Sequence, residues 1–335
     1  MWANLLAGTV ERMVGTRVHY VDVVRLNEAT GLVAKVYAQI RSDFLLGDPF
    51  ALHSTAPEVL AASWAMVRET LVVGQVARGF KEAVASAVSR TNACPYCVEV
   101  HDSMERASRG EDHDTYVPWA EATRHPRAEV LAFPPFSAEQ APEVIGVAVA
   151  FHYLNRMVNV FLEESPMPAP QAAKGLLEWV SSPMLRRAAA MSPAPGTSLE
   201  LLEAADLPED MAWARGRPQI ASAFGAATAA IEDAAAPVLS EAVRTHVRER
   251  LTGWWGEDRG LERWVEKEVA DLPPRDQPDA RLVYLTALAP YRVDDPAIAA
   301  FRERHPEDGD LIAATAWGSL TAARRIGGWL KVPAE

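Results

Sequence analysis

Helical periodicity is the feature that most constrains the fold of this chain. Apolar residues recur at spacings of three and four, whereas strict two-residue alternation of β-branched side chains is scarce. The stretches with the helical pattern are residues 56–73, 80–89, 142–164, 171–190, 217–235 and 239–251. Pro-rich or polar connections separate several of them. The sequence therefore predicts an all-α protein.

Length and charge limit the classes of function. A chain of 335 residues is long enough for about two domains. Its 45 acidic and 33 basic residues give a net charge of -12, which opposes nucleic-acid binding because that needs a clustered basic surface. The sequence has no run of about 18 apolar residues, and its start lacks the charged region of a signal peptide. We therefore expect a cytoplasmic protein that binds neither nucleic acid nor membrane.

The only two cysteines of the chain, Cys94 and Cys97, are separated by two residues, and His101 follows. Pro95 suits the first position of a helix, so Cys94 is the predicted N-cap of that helix. At about 100° of rotation per residue, both thiols and His101 share one stripe. The positive end of the helix dipole favours thiolate, and His101 can exchange a proton with it. A dithiol at this spacing can close and reopen a small disulfide ring.

Other interpretations of these three residues stay open at this point. The cysteines can be two small buried apolar residues, or two ligands of a structural zinc ion. Structural zinc normally takes four protein ligands, and Cys94, Cys97 and His101 supply three. His101 alone can be an ordinary residue of a helix surface. The sequence does not indicate which thiol attacks first.

Three pairs of segments resemble each other in the same order along the chain. They are 56–64 with 217–225, 81–84 with 240–243, and 143–146 with 310–313. Chance similarity between amphipathic helices is one explanation, but the agreement in order favours a duplication. Counting forward from the second pair places Gly253 and Gly256 opposite Cys94 and Cys97. The second copy has therefore lost both thiols.

This similarity predicts the domain organisation. The first unit, residues 1–165, carries the thiol pair. A Pro-rich segment, residues 166–206, connects it to a degenerate repeat without cysteines at residues 207–335.

Five residues form a longer motif: Glu82, Cys94, Tyr96, Cys97 and His101 spell Glu-x11-Cys-x-Tyr-Cys-x3-His. This motif resembles the core signature of the AhpD-like alkylhydroperoxidases, a branch of the carboxymuconolactone decarboxylase superfamily. The resemblance covers residues 35–165 and is faint beyond them. It implies a homo-oligomeric AhpD-like helical bundle, here duplicated with a degenerate second copy.

The resemblance also implies an antioxidant peroxidase chemistry. In such a site Glu82, acting with His101, helps to deprotonate a cysteine that reduces a hydroperoxide or a partner disulfide. The redox-active disulfide itself replaces a cofactor. Relatives act with a peroxiredoxin and take electrons from dihydrolipoamide, so these are the expected partner and donor. From the residues alone, Glu82 either faces solvent or is aimed at the thiols by a close helix contact, where burial would raise its pKa.

Two further residues are candidates for the site. Tyr96 lies between the thiols, where it either packs or joins a proton relay. His152 begins a polar line with Asn155 and Asn159 on an otherwise apolar helix. This line either borders the site or faces water.

Two other functions compete with the peroxidase hypothesis. A lactone decarboxylase of the same superfamily would use acid and base groups rather than a thiol couple. A non-enzymatic interaction protein, stabilised by zinc or switched by its thiols, would dock through its tryptophan-rich second half. A plain helical scaffold would leave the motif unexplained.

Overall fold

The computed structural model describes residues 14–108, 113–166, 182–259 and 264–334. Across these ranges the secondary structure is helical, and the β-structure is a single antiparallel bridge between Val18 and Leu162. The prediction of an all-α fold is therefore confirmed.

The helices of the first half surround the thiol motif. Their bounds are α1 Gly31–Asp43, α2 Asp48–Ala51, α3 Pro57–Val67, α4 Arg78–Thr91, α5 Pro95–Ala107, α6 Val117–Ala122 and α7 Ala141–Phe161. A π-helical turn, Arg68–Val72, extends α3. Short 3-10 turns precede α6 and follow it.

The second half contains six further helices among its described residues. They are α8 Pro218–Ala235, α9 Glu241–Thr252, α10 Trp264–Val269, α11 Gln277–Leu288, α12 Asp295–Arg302 and α13 Asp308–Gly327. Five of the stretches with helical periodicity correspond to α3, α4, α7, α8 and α9. In the sixth, residues 182–189 are helical, while residues 171–181 lie outside the described residues. The same holds for residues 167–181 of the predicted connecting segment.

Helix α7 forms the centre of the core. Of its 21 residues, all except Asn159 are buried. By length and composition alone α7 could cross a membrane, but 94% of its most apolar window is buried inside the protein. It packs against α13, α4 and α3. Helix α7 therefore contacts both the first half, through α3 and α4, and the second half, through α13.

The two halves meet through helices that the proposed repeat would pair. Helix α3 packs along α8, and α7 packs along α13. Gly146 permits a close approach on α7, since a Cβ atom there would lie 2.5 Å from a methyl group of Thr70. The halves thus share one hydrophobic core. The boundaries at residues 165 and 206 stay predictions.

A buried ionic cluster ties the described part of the connecting segment to the first half. Arg68 Nε lies 2.7 Å from Asp43 Oδ2, and its Nη1 lies 2.5 Å from Glu69 Oε1. Glu69 also accepts hydrogen bonds from the Gly196 amide, at 2.8 Å, and from the Ser198 hydroxyl, at 2.6 Å. The cluster therefore fixes the residues before α8 against the π-helical turn.

Candidate active site

A sharp turn between α4 and α5 positions the first cysteine. The Cys94 amide donates to Ser89 O at 2.9 Å and the Ala93 amide donates to Arg90 O at 3.0 Å, which is the bonding pattern of a Schellman motif. Ala93 takes the left-handed conformation that this motif needs, with φ of 49°. The next helix starts at once, with Cys94 as N-cap and Pro95 as its first residue, as the sequence predicts.

The two thiols are buried and free. Cys94 is fully buried and Cys97 is 2% exposed. Burial raises the pKa of the Cys97 thiol well above its usual range, and the hydrogen bond with Cys94 and the charge of that thiol raise it further. A hydrogen bond from Asn155 acts in the opposite direction. The fold therefore opposes the ionisation of Cys97 overall.

A short hydrogen bond joins the predicted acid and base. Glu82 Oε2 lies 2.5 Å from His101 Nδ1, and Glu82 is fully buried. The edge of the imidazole packs against Phe151, with 4.5 Å between the ring centroids. Ser86 and Ser89 are also fully buried on α4, whose contact with α5 is extensive. These small side chains allow the close helix packing that brings the carboxylate to the histidine.

Arg78 helps to keep the Glu82 carboxylate ionised. Its Nε donates to Glu82 Oε1 at 2.6 Å, one helical turn earlier on α4. Burial acts to raise the pKa of Glu82, but the positive charges of Arg78 and His101 outweigh it, so the pKa lies below its ordinary value. The expectation that a buried Glu82 has a raised pKa is therefore wrong. The ionised carboxylate accepts the Nδ1 proton of His101, which leaves Nε2 as the ring's proton acceptor.

The polar line on α7 points inward, so the interpretation that it faces water is wrong. Asn92 Nδ2 lies 3.0 Å from His152 Nδ1 and 3.0 Å from Asn155 Oδ1. Asn159 Nδ2 donates to Asn92 O at 3.0 Å. All three residues of the line thus bond Asn92, which lies two positions before Cys94.

His152 is neutral, and its hydrogen bonds indicate its tautomer. The Thr123 hydroxyl donates to Ala120 O at 2.7 Å, so at 2.8 Å it accepts the proton of His152 Nε2. His152 Nδ1 is then free to accept from Asn92. Burial lowers the pKa of His152 well below its usual range, and the charge of Arg156 lowers it further. Nδ1 therefore holds the turn through Asn92, while Nε2 anchors the ring to Thr123.

Tyr96 is buried on α5 between the two cysteines in sequence. Burial raises its pKa well above the usual range, and the negative charges of Asp48 and of both cysteines add to this effect. The phenol therefore keeps its proton at neutral pH, within electrostatic range of the thiols.

The place that the predicted repeat would pair with the thiols is filled differently. Gly256 has φ of 89°, and a Cβ atom there would lie 1.6 Å from Arg124 O. Trp254 is fully buried, whereas Trp255 is 50% exposed and packs under the Arg325 guanidinium. No side chain as large as cysteine fits at residue 256.

Metal binding has no support in the ranges that the structure describes. There, no three or more His, Cys, Asp or Glu side chains are grouped so that they could hold a metal ion. The zinc interpretation of the cysteines therefore gains nothing from the geometry.

Sequence reasoning missed several residues of this site. Arg78 is four residues before Glu82, a spacing at which opposite charges pair on a helix, so its role could have been found. Asn92 and Thr123 gave no signal, because they meet α7 only through the tertiary fold.

No protein-family model matches the chain. A curated relative, the alkyl hydroperoxide reductase Rv2159c of Mycobacterium tuberculosis, is 37% identical in an alignment that covers 95% of this chain and 96% of the relative. The similarity thus includes the second half as well as the half with the thiols. Together with the five-residue motif, this similarity shows that the chain belongs to the AhpD-like alkyl hydroperoxide reductase family.

Proposed function

We propose that this protein is a thiol-dependent alkyl hydroperoxidase that cycles Cys94 and Cys97 between dithiol and disulfide. The observation that carries the proposal is the buried hydrogen bond between Glu82 and His101, on the same helix pair as two free, buried thiols. The name of the curated relative supports an alkyl hydroperoxide as the substrate.

In the first step, Nε2 of His101 accepts a thiol proton. The thiolate attacks one peroxide oxygen, so that an S–O bond forms and the O–O bond breaks. The products are a cysteine sulfenic acid and an alkoxide, which takes the proton back from His101 and leaves as the alcohol. Ionised Glu82 stabilises the imidazolium that exists between these two transfers.

In the second step, the other thiol attacks the sulfenic sulfur. The S–S bond forms, the S–O bond breaks, and the hydroxyl group leaves as water with the proton of the attacking thiol. Two electrons have then passed from the two sulfurs to the peroxide. An external dithiol returns two electrons and two protons by thiol–disulfide exchange. We propose dihydrolipoamide as this donor and a peroxiredoxin as the protein partner. Reduction of a partner's disulfide would use the same exchange.

The first experiment titrates free thiols after one equivalent of an alkyl hydroperoxide is added to the reduced protein. Both free thiols are expected to disappear, and adding a dithiol reductant should restore them. Cys97→Ser and Cys94→Ser should each abolish multiple turnover, because neither can close the disulfide. Unchanged thiol content after peroxide, in protein that reacts fully when denatured, would reject the proposal.

A second experiment tests the proton relay. His101→Asn and Glu82→Gln should each lower kcat/KM by about 10²- to 10⁴-fold, the usual contribution of general acid–base catalysis. Glu121→Gln is the matched control, since this carboxylate on α6 is 46% exposed and pairs with Arg90 on α4 rather than with the thiol site. Equal activity of all three variants would contradict the relay.

We propose further that the protein works as a homo-oligomer in the cytoplasm, as its family suggests. A reducing compartment suits a disulfide that must be reopened after each cycle. Sedimentation at several concentrations measures the oligomeric state.

A further inference from the structure

We propose that Asn92 is a positioning residue, whose hydrogen bonds to α7 hold the turn before Cys94 in one conformation and so favour closure of the Cys94–Cys97 disulfide. The inference rests on the redox cycle proposed above, because it concerns the same pair of sulfurs. It adds a residue that lies outside the five-residue motif.

The turn between α4 and α5 has a conformation that needs support. Ala93 has φ of 49°, in the left-handed region, which costs free energy for a residue with a Cβ atom. Cys94 follows directly, and its amide donates to Ser89 O at 2.9 Å. The position of the first thiol therefore depends on how firmly residues 89–93 are held.

Asn92 joins this turn to α7 through both its side chain and its backbone. Its Nδ2 lies 3.0 Å from His152 Nδ1 and donates to Asn155 Oδ1 at 3.0 Å, so both N–H groups of the amide are used. Its backbone oxygen accepts from Asn159 Nδ2 at 3.0 Å. Asn92 is only 8% exposed. Three side chains of one helix thus hold the residue directly before Ala93.

The orientation of the Asn92 amide is fixed by His152. The Thr123 hydroxyl donates to Ala120 O at 2.7 Å, so it accepts from Nε2 of the imidazole at 2.8 Å. Nδ1 is then an acceptor and requires an N–H group of Asn92. The approach of Nδ1 to Asn92 Oδ1 is longer, at 3.3 Å, and would need the opposite tautomer. The amide of Asn92 therefore has one orientation.

A second bond from α7 holds the start of the turn. Asn155 Nδ2 donates to Ser89 Oγ at 3.0 Å, and that hydroxyl donates its own proton to Ala85 O at 2.7 Å. The oxygen of the Asn155 amide is thereby left to face Asn92. Ser89 is the residue whose backbone oxygen accepts the Cys94 amide. Helix α7 therefore bonds the turn at residues 89 and 92, on both sides of its tightest part.

A turn that is already held lowers the entropic cost of closing the disulfide. The S–S bond forms only from conformations that bring the two sulfurs to about 2.05 Å with a suitable dihedral angle. Freedom of one residue's backbone is equivalent to about a five- to thirtyfold change in an equilibrium constant. Without the bonds of Asn92, the dithiol form would gain conformations that ring closure must remove. The equilibrium would then move toward the dithiol.

The second half provides an internal comparison through the predicted repeat. The pairing of Cys94 with Gly253 places Leu251 opposite Asn92. The pairing of 143–146 with 310–313 aligns α7 with α13, two helices that pack on each other. In that register the polar line of α7 corresponds to Ser319, Ala322 and Ile326. The half without thiols therefore lacks Asn92 and all three of its side-chain partners.

The test measures the reduction potential of the couple. Each variant is equilibrated with mixtures of reduced and oxidised dithiothreitol, and its free thiols are counted. In this exchange the protein's S–S bond becomes two thiols while two thiols of dithiothreitol become one S–S bond, so two electrons and two protons are transferred. Asn92→Ala should lower the equilibrium constant for disulfide formation about five- to thirtyfold, which raises the potential by about 20–45 mV.

Two further variants show whether the effect belongs to these bonds. Asn159→Ala removes only the bond to the backbone oxygen of Asn92, and it should change the constant in the same direction by about twofold or more. Thr91→Ala is the matched control, because Thr91 is adjacent to Asn92 but its hydroxyl donates to Glu121 O at an exposed position. It should change the constant by less than about twofold.

The outcomes separate this proposal from the proposed function. A purely structural Asn92 would stabilise both redox forms equally, so a potential that is unchanged or lower in Asn92→Ala would overturn the proposal. If that variant does not fold, Asn159→Ala decides, and an unchanged potential there overturns it. If the unsubstituted protein keeps its thiols after peroxide, the peroxidase function fails, whereas the potential is still measured because oxidised dithiothreitol forms the disulfide without peroxide.

Discussion

Replacing Arg78 with methionine tests how the site keeps Glu82 ionised. The guanidinium donates to the fully buried carboxylate at 2.6 Å and lies over the Phe44 ring, 5.0 Å from its centroid. Methionine retains much of the apolar stem but removes the charge. One hydrogen bond to a charged group is worth about 1.5–3 kcal/mol, and a pKa unit corresponds to about 1.4 kcal/mol. The pKa of Glu82 should therefore rise by about one to two units.

The expected consequence is a shift in the pH dependence of turnover. A protonated Glu82 cannot hold the imidazolium of His101, so the acid limb of kcat/KM should move to higher pH by about one to two units. The assay is kcat/KM for an alkyl hydroperoxide across the acid range. Arg90→Met is the matched control on the same helix, because its pairs with Asp102 and Glu121 are long, at 3.4 and 3.1 Å, and partly exposed. Such pairs contribute about 0–1 kcal/mol.

Stability gives an independent measure of the same pair. The lowered pKa of Glu82 means that its contribution is present above the unfolded pKa of about 4.3 and is lost as the pH falls through the folded value. Removing one partner of a buried ion pair costs about 3–5 kcal/mol, which urea denaturation at neutral pH can measure. If Arg78→Met is folded, keeps the wild-type acid limb and loses no more stability than Arg90→Met, the reasoning is refuted.

Two other predictions concern stability alone. Burial lowers the pKa of His53 to about 4, so the free energy of unfolding should fall by up to about 3 kcal/mol as the pH drops from about 6.5 to about 4. His53→Gln should reduce this acid-induced loss in urea denaturation at the two pH values, and an equal loss in both proteins would contradict it. Gly256→Ala should destabilise the protein by roughly 2–4 kcal/mol, because the new methyl group meets a backbone carbonyl at a positive φ. Gly253→Ala, whose Cβ atom would have ordinary contacts at 3.6 Å, should cost less than about 1 kcal/mol, and equal midpoints for the two variants would disprove the steric argument.

Periodicity predicted five of the longer helices, but it missed α1 and α13, with 13 and 20 residues, as well as most of the short helices. Helices α3, α4, α7, α8 and α9 were visible because their apolar residues repeat at helical spacing. Helix α12 has eight residues and α10 has six, too few to show a period in the sequence. The last seven residues of α11, from Leu282 to Leu288, are all buried and six of them are apolar, so the apolar residues show no helical period there. Tertiary packing rather than local pattern determines these elements.

The site divides in the same way between local and tertiary information. The stripe of Cys94, Cys97 and His101 follows from helix geometry alone. The pKa of Glu82 does not, because its direction depends on both burial and the distance to Arg78. The contacts of Asn155 are further from prediction, since it bonds Ser89 of α4 across 66 residues of sequence.

The second half supports the site without a thiol of its own. Trp329 Nε1 donates to Thr123 O at 2.8 Å, and the backbone of Gly256 packs against the carbonyl of Arg124. Thr123 is also the residue whose hydroxyl determines the tautomer of His152. The close approach at Gly256 requires a glycine at the position that the repeat would pair with Cys97. A glycine rather than a cysteine at residue 256 therefore allows the backbone contact beside Thr123, the residue that bonds both Trp329 and His152.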